Sequence, residues 1–514
     1  MFPADHRAAT VRRSARRFIR ALAVSGVLGI ACAGAASAEP GGFVVVVGVP
    51  DTVPGTRIAS GGWLDVQPQG RIRQVLSEDQ FGIPGADASG DPRFGAVIAL
   101  RDLNGDGYSD LVVGAPGKPG PDGREAVGRV DLFFATKTGL SSTGAIALQQ
   151  PQLTAGDRFG SAIALSARSD NSGILDLWVG APNHEVAAKR QAGAIFRYAI
   201  SPTGSPELVG MISQAGSMVP DTPEAGDHFG AVMADASDNR IVVGVPDEDI
   251  GNHKDAGMVE LLRTDQISNA LIKGDAVSQN SKGVAGTPAA GDHFGAALTV
   301  GAHAVGIPGE DVGNLKDAGS VQTFGPGTAN CQSWLRLCPS KAFTQNSPRI
   351  PGKAEAGDRF GAALSEGIYR RESYRCSIYP SVAIGSPGED LGKAKNAGSV
   401  TTFMLPAFAT TDDMRGCPPL MFTQGHGLQG TAETGDHVGA ALGTALGKQS
   451  DDSNQRDRIL VGVPGEDVGT IKDAGRVMLG VGPSSSNHAA LGGDVAGQRY
   501  GSVLASNQAI ILNI

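Results

Sequence analysis

Short apolar runs bounded by glycine and proline recur along the whole chain. Residues 241–245 and 459–463 are typical, since each is a nearly continuous run of Val, Ile and Leu that a proline closes. Runs of this length are typical of strands that are buried on both faces. Proline ends such a run because it cannot extend a hydrogen-bonded ladder. The pattern therefore predicts an all-β protein.

The runs belong to a repeat that is marked by a Phe-Gly dipeptide, usually preceded by Gly-Asp-x. The spacings between successive copies are 65, 70, 65, 66, 78 and 62 residues. The copies begin at Phe94, Phe159, Phe229, Phe294 and Phe360, with Val438 and Tyr500 in the last two. Each repeat continues with an apolar run ending in Gly-x-Pro, an Ala-Gly-x-Val strand and a weaker fourth strand. Four strands at this period predict a seven-bladed β-propeller of four-stranded blades.

The two ends of the chain complement each other. Residues 44–50 form a second-strand motif without a Phe-Gly partner, and residues 499–504 supply a first-strand motif. We therefore expect one blade to be formed by the N- and C-terminal strands, which closes the ring and removes a free edge. Residues 510–512 also resemble a second strand, and which segment takes that position stays open.

The first 38 residues are predicted to be a cleaved signal peptide. Five arginines between positions 12 and 20 precede an apolar, small-residue stretch and an Ala-x-Ala site at residues 36–38. The pair Arg16-Arg17 imperfectly matches a twin-arginine signal. We expect residues 39–514 to form a single propeller domain that is secreted or periplasmic, without a transmembrane segment.

Composition narrows the possible partners. The whole chain has a net charge of −9, with 43 basic and 52 acidic residues. This balance argues against a nucleic-acid binder. Four cysteines follow the leader, and an even number after a signal peptide indicates two disulfides. Of the three possible connectivities, we favour Cys331–Cys338 with Cys376–Cys417.

The combined motif, Gly-Asp-x-Phe-Gly followed by Gly-Ala-Pro, resembles the FG-GAP repeat of integrin α-subunit propellers. Residues 114–116 and 180–182 keep the literal Gly-Ala-Pro, and later repeats vary its central residue. The resemblance covers residues 43–514. It implies a seven-bladed propeller with calcium loops, and it does not by itself imply integrin function.

Residues 102–110 carry the strongest candidate site, which we predict to bind Ca²⁺. Side-chain oxygens stand at positions 1, 3, 5 and 9, a glycine at position 6 permits a sharp turn, and position 7 can offer its carbonyl. The predicted ligands are Asp102, Asn104, Asp106, Tyr108 and Asp110. The alternative is a hairpin closed by Asx turns without an ion. Residues 169–176 are a degraded copy, and the corresponding loops at 235–239 and 301–304 are poorer still.

A second repeated unit, Pro-Gly-Glu-Asp, links the second and third strands of several blades. The acidic pairs Glu310-Asp311, Glu389-Asp390 and Glu466-Asp467 form either a ring that binds cations or a basic partner, or a set of Asx turns. The lysines Lys254, Lys316, Lys395 and Lys472 are expected to neutralise this ring in part. The aspartates before Phe-Gly are expected to be structural.

No nucleophile elbow, zinc-protease helix motif or Walker loop is present in the sequence. His228, His293 and His437 occupy equivalent positions in three repeats, and we expect each to stay on its own blade. We therefore favour a monomeric, non-enzymatic module of the adhesion type that binds a protein or glycan. The alternative is a secreted hydrolase or lyase with its active site at the channel mouth, assembled from loops of several blades.

Overall fold

The computed structural model describes the chain in segments. These are residues 44–49, 63–68, 74–77, 93–136, 139–150, 152–170, 172–236, 239–325, 337–367, 380–406, 417–445, 458–479, 489–492, 499 and 502–504. The predicted signal peptide and residues 510–512 lie outside them. Strands dominate these segments, as the apolar runs predicted, together with a short 3₁₀ helix at Val300–Ala302.

Six blades are formed by consecutive strands, and we number them I to VI. Blade I contains β4 (Val97–Arg101), β5 (Asp110–Ala115), β6 (Arg129–Thr136) and β7 (Gly139–Leu148). Blade II contains β8 (Ile163–Ala167), β9 (Leu175–Ala181), β10 (Ala194–Ile200) and β11 (Pro206–Ile212). Blade III contains β12 (Val232–Asp235), β13 (Arg240–Val245), β14 (Met258–Thr264) and β15 (Leu271–Val277).

The later blades follow the same order of strands. Blade IV contains β16 (Ala297–Leu298), β17 (Ala304–Ile307), β18 (Ser320–Phe324) and β19 (Pro339–Phe343). Blade V contains β20 (Ala363–Gly367), β21 (Ser381–Ser386), β22 (Ser399–Met404), β23 (Leu420–Gln424) and a short fifth strand, β24 (Gly427–Leu428). Blade VI contains β25 (Leu442–Ala445), β26 (Arg458–Val463), β27 (Arg476–Leu479) and β28 (Ala489–Gly492).

The prediction of an all-β propeller with four-stranded blades is confirmed in its architecture and corrected in detail. Six blades, rather than seven, are built from consecutive strands, because the last repeat contributes to the described sheets only the two-residue strand β29 (Val503–Leu504). A separate composite sheet joins β29 to β1 (Val44–Val49), β2 (Trp63–Pro68) and β3 (Gln74–Leu76). The pairing of β1 with β29 matches the expectation that the two chain ends share a sheet.

The arrangement of the strands defines two faces of the molecule. The first strands of successive blades contact one another in the order β4, β8, β12, β16, β20 and β25. Neighbouring strands of the same blade are antiparallel, apart from the short β24. Loops joining first and second strands therefore lie on one face, which we call the hairpin face. Loops joining second and third strands lie on the opposite face with the Phe-Gly motifs, and we call it the motif face.

The phenylalanines of the Phe-Gly motif pack between blades, as predicted. Phe159 is fully buried in one cluster with Val130 of blade I and Val179 of blade II. Phe294 joins blades III and IV in the same manner. The backbone of each motif also crosses the boundary, since the Phe159 N–H donates to the Val127 carbonyl at 2.9 Å. Apolar burial and a backbone hydrogen bond therefore hold each blade to the preceding one.

The two motif glycines meet at the same boundary. A Cβ placed on Gly114, of the Gly-Ala-Pro motif in blade I, would lie 2.2 Å from the carbonyl oxygen of Gly160, in the next Phe-Gly motif. The same approach recurs between Gly244 and Gly295 at 2.1 Å. No side chain fits in this space. The Phe-Gly and Gly-x-Pro motifs recur together because their glycines pack against each other across the same blade boundary.

The conserved spacing Gly-Asp-x-Phe also has a local cause. The residue before each phenylalanine has a positive φ, 55° at both His228 and His293, a conformation that non-glycine residues adopt at a cost. The preceding aspartate closes the turn that stabilises this geometry. Asp292 Oδ2, for example, accepts the Ala289 N–H at 2.6 Å. This hydrogen bond agrees with the expectation of a structural role for these aspartates.

Cys338 and Cys417 are buried, and each is disulfide-bonded. Positions 331 and 376 lie outside the described residues, so the predicted pairing stays a prediction.

Candidate functional site

The predicted calcium loop, residues 102–110, joins β4 to β5 on the hairpin face of blade I. Asp110 is the first residue of β5 and is fully buried. Its Oδ1 accepts the Ala135 N–H at 2.7 Å and its Oδ2 accepts the Leu103 N–H at 2.8 Å. Two backbone donors thus hold this carboxylate at the base of the loop, where the strand begins.

The remaining predicted ligands line the same loop, and their oxygens are turned onto backbone donors. Asp102 accepts the N–H groups of Gly105 at 2.7 Å and Gly107 at 2.9 Å. Asn104 Oδ1 accepts the Asp106 N–H at 3.0 Å, and Asp106 Oδ1 accepts the Tyr108 N–H at 2.9 Å. This geometry is that of the Asx-turn alternative. Within the described residues, the three carboxylates of the loop do not form a cluster with all ligand atoms within 4.8 Å of one another.

The residues present nevertheless fit a hard divalent cation. Burial raises the pKa of Asp110 to about 7, the two backbone donors oppose this rise, and the charges of Asp106 and Asp102 add to it. The loop therefore carries a buried carboxyl group beside two like charges. A bound cation would offset that repulsion, and carboxylate and amide oxygens are the ligands that Ca²⁺ prefers. The identity of the ion and its ligation stay predictions.

In the degraded loop of blade II, arginine side chains compensate the charge of the buried aspartate. Asp176 stands in β9 where Asp110 stands in β5, and it is also buried. Arg168 contacts its Oδ1 at 2.8 Å and Arg197 contacts its Oδ2 at 2.6 Å. Two guanidinium groups occupy the surroundings of this carboxylate. The geometry therefore disfavours a cation at residues 169–176.

The repeated acidic pairs on the motif face divide into two kinds of residue. The aspartates close the loops through backbone hydrogen bonds: Asp311 Oδ1 accepts the Asp317 N–H at 3.0 Å, and Asp390 Oδ1 accepts the Asn396 N–H at 2.9 Å. Each of these bonds spans six residues, so neither is the Asx turn that was predicted, which spans two. Lys395 lies 2.5 Å from Asp390, which agrees with partial neutralisation by the lysines. The aspartates are therefore structural groups of each loop.

The glutamates of the same pairs point inward instead. Glu389 and Glu466 are buried, and each accepts a hydrogen bond from the side-chain amide of a glutamine that follows the fourth strand of the preceding blade or ends it. Glu248 Oε2 likewise accepts a hydrogen bond from a glutamine side chain, that of Gln214, whose Nε2 lies 2.9 Å away. Burial raises the pKa of Glu248 to about 9 and that of Glu389 to about 7. An exposed acidic ring of Glu and Asp is therefore not what the structure presents.

The expectation that the repeated histidines stay apart is wrong for two of them. His228 Nδ1 lies 2.7 Å from Asp247 Oδ2, and His293 Nδ1 lies 3.1 Å from Asp247 Oδ1. Asp247 replaces the glycine of the Pro-Gly-Glu-Asp unit, and its carboxylate lies between the histidines of two successive repeats. Hydrogen bonds from both rings, opposed by burial, lower the pKa of Asp247, and Asp247 raises the pKa of His293.

This His-Asp-His arrangement borders an open cleft of about 450 Å³ on the motif face. Arg190, Lys254 and Asp255 also line the cleft. His437 Nδ1 lies 3.0 Å from the Pro387 carbonyl, as His293 Nδ1 lies 3.2 Å from the Pro246 carbonyl, but blade V has a glycine where Asp247 stands. Sequence reasoning missed the cleft because Asp247 is 19 residues from His228 and lies in a different loop. The available signal was the single departure of Asp247 from the repeat.

A cluster of Glu224, Asp227 and Glu248 was also missed. Its ligand oxygens all lie within 4.8 Å of one another. Glu260 lies near this cluster and is fully buried in β14. The sequence does single out Glu260, because the repeats of blades IV, V and VI have no carboxylate at the equivalent position. They have Gln322, Thr401 and Met478 there.

Comparison with known proteins agrees with the motif. The FG-GAP repeat family matches residues 94–133. The chain is 39% identical over 115 residues to bovine phosphatidylinositol-glycan-specific phospholipase D, covering 21% of this chain and 13% of that protein. It is 39% identical over 120 residues to mouse integrin alpha-IIb, covering 23% of this chain and 11% of that protein. These matches confirm that the chain is an FG-GAP repeat protein that is similar to integrin α subunits.

The matched regions span only about an eighth of the length of these relatives. Among solved structures, the periplasmic gluconolactonase PpgL of Pseudomonas aeruginosa is 13% identical with a TM-score of 0.43, over 90% of this chain and 98% of that chain. A putative 6-phosphogluconolactonase of Bacteroides fragilis is 9% identical, also with a TM-score of 0.43, over 90% and 97% of the two chains. Likeness at this level supports no conclusion on activity.

Within the described residues, no helix has the length and apolar character needed to cross a membrane.

Proposed function

We propose that the protein is an exported, calcium-braced FG-GAP propeller that presents its loops to a protein or glycan partner without transforming it. The observation that carries the proposal is the loop of residues 102–110, which places three oxygen-bearing side chains on one short segment with the buried Asp110. Asp102, Asn104, Asp106 and Asp110 would hold the ion through side chains, and Tyr108 through its carbonyl. The ion would brace blade I and perform no chemistry.

Thermal unfolding of residues 39–514 in calcium and in a chelator tests the brace. We expect calcium to raise the melting temperature, because binding to the folded state alone stabilises it. The Asp106→Ala variant should lose the part of this response that the loop of residues 102–110 contributes. Asp170→Ala, in the equivalent loop of blade II, is the matched control and should keep it. A full calcium response in Asp106→Ala would contradict the proposed site.

We also propose that the composite sheet is the seventh blade and that it closes the ring. Support comes from the contacts of β29 with β4 of blade I and with β25 of blade VI. Truncation after residue 498 removes β29 and should therefore lower the melting temperature of the whole domain. A truncated chain that melts at the same temperature as the full domain would contradict closure.

Binding and catalysis can be separated with labelled glycans and proteins. A binding module should retain its partner unchanged, whereas an enzyme would release a product. The second candidate, a secreted hydrolase or lyase, is favoured by one observation, the cleft in which Asp247 lies between His228 and His293. Product formation that the Asp247→Asn variant abolishes would support the enzyme and overturn the binding proposal.

The proposal of export depends on residues 1–38, the predicted signal peptide. We expect processing after Ala38, a secreted or periplasmic product and a monomer in solution. Amino-terminal sequencing of the exported protein and its elution volume on a sizing column test these expectations. An intact leader on exported protein would contradict the first of them.

A further inference from the structure

One cluster of carboxylates on the motif face differs from the rest of the repeat. Glu224 and Asp227 precede Phe229, and Glu248 follows β13, so the cluster lies where blade III meets the chain that leaves blade II. Their ligand oxygens all lie within 4.8 Å of one another. Asp227 and Glu248 are buried, whereas Glu224 is exposed and provides a route from solvent.

A fourth carboxylate faces the same point. Glu260 of β14 is fully buried, and its Oε2 has no hydrogen-bond partner in the described part of the chain. The amide of Gln214 joins it to the cluster, because Nε2 lies 2.9 Å from Glu248 Oε2 and 3.5 Å from Glu260 Oε1. Gln214 is itself buried, and its Oε1 also lacks a partner. Two buried oxygens without donors are costly unless a ligand satisfies them.

No basic side chain compensates this charge in the ion pairs of the described residues. In other blades, the equivalent carboxylates are paired with an arginine, partly replaced or further apart. In blade VI, Arg476 lies 2.8 Å from Glu466. In blade IV, Ala289 replaces the first carboxylate of the cluster. In blade V the three cluster carboxylates are present, but they are not gathered within 4.8 Å, and Thr401 stands in the position of Glu260.

We propose that Glu224, Asp227, Glu248 and Glu260 form a binding site for a hard divalent cation, with Ca²⁺ the favoured ion. Carboxylate oxygens without histidine or cysteine select hard cations over zinc or copper. Ca²⁺ accepts six to eight oxygens in flexible geometry, so it accommodates carboxylates from three separate chain segments. The ion would join the loop before β12 to β13 and β14. This site is independent of residues 102–110, which lie on the opposite face.

Counting bound ions tests the proposal without an activity assay. The full-length gene product, expressed with its leader and stripped with chelator, is dialysed to equilibrium against radioactive calcium. The measurement is made in the Asp106→Ala background, which removes the loop site from the count. Glu248→Gln and Glu260→Gln are the test variants, and Glu389→Gln in blade V is the matched control.

We expect each test variant to lose one bound ion per chain or to bind it at least tenfold more weakly, and the control to bind as its parent does. Both test variants should melt in chelator at or above the temperature of the parent, because each replaces one of several crowded carboxyl groups with an amide of similar shape, and this shows that they fold. An unchanged ion count in Glu248→Gln and Glu260→Gln would overturn the site. A calcium response that survives Asp106→Ala and disappears in Glu248→Gln would contradict the loop site and support this one.

Discussion

Blades I and II place an aspartate at the same position and surround it with different charges. Asp110 and Asp176 both stand near the start of the second strand, and both are buried. Asp176 is held by Arg168 and Arg197, whereas Asp110 has backbone donors and two neighbouring carboxylates. The repeat therefore keeps a buried negative charge in both blades, and what compensates that charge is what changes.

This difference explains why one hairpin loop keeps its oxygen donors and the other has lost them. An arginine carries its positive charge permanently, so blade II needs no ion. Blade I has no such group among the contacts of Asp110, and its stability is expected to depend on a cation. Calcium dependence of a hairpin loop is thus a property of blade I and not of every blade. Four predictions test this comparison, in order of decreasing effect.

Arg197→Met should have the largest effect. It removes one partner of a buried ion pair and leaves Asp176 with a single guanidinium, and it also removes the stacking of Arg197 over Trp178 at 5.0 Å. Breaking a buried pair typically costs about 3–5 kcal/mol. Denaturant unfolding should show this loss equally in calcium and in chelator. Loss of the effect in calcium would indicate that blade II also binds an ion.

The Asp110→Asn variant should change the pH dependence of stability in chelator. The pKa of Asp110 is raised from 3.8 to about 7, so the protonated group is favoured on folding. Its contribution is complete below the unfolded pKa and is lost as the pH rises through the folded pKa. The wild-type protein should therefore lose stability between pH 3.8 and about 7, and the variant should show a flatter curve. Parallel curves of stability against pH for the two proteins would contradict the raised pKa of Asp110.

Arg168→Met should have a smaller effect than Arg197→Met. Arg168 is the more exposed of the two arginines, with 10% of its side chain accessible against 3%. Asp176 would keep its contact with Arg197. We expect a loss of roughly 1.5–3 kcal/mol in denaturant unfolding, in the range of a hydrogen bond to a charged group. A loss equal to that of Arg197→Met would show that the two arginines act as one unit.

Lys472→Ala should have no measurable effect on the melting temperature. Its ammonium group lies 2.5 Å from Asp467, but 80% of the lysine side chain is exposed. Exposed ion pairs contribute little because water and salt screen them. A clear fall in melting temperature would show that exposed pairs in the motif-face loops matter as much as the buried ones in blade II.

Much of the fold could be predicted from local patterns. The Phe-Gly and Gly-x-Pro motifs fix the blade boundary because two glycines and one phenylalanine meet there, and this contact recurs at the repeat period. The loop of residues 102–110 was visible because all its donors lie within nine positions. The four-stranded blades and the pairing of the two chain ends followed from the same periodicity.

The rest depends on contacts that cross strands and blades. Arg197 reaches Asp176 from 21 residues away, and Asp247 joins histidines of two successive repeats. Glu260 interrupts an apolar strand, and its neighbour Gln214 comes from a segment 46 residues earlier in the chain. Only the structure shows which departures from the repeat meet in space. The residues that depart from the repeat, rather than those that define it, hold most of the candidate chemistry.

Hydrogen exchange of the two hairpin loops tests the central comparison most directly. Peptides that cover residues 97–115 and 163–181 would be followed by mass spectrometry in calcium and in chelator. The account predicts that calcium slows exchange in the first peptide and leaves the second unchanged, because arginines already compensate Asp176. Equal protection of both peptides, or of neither, would contradict it.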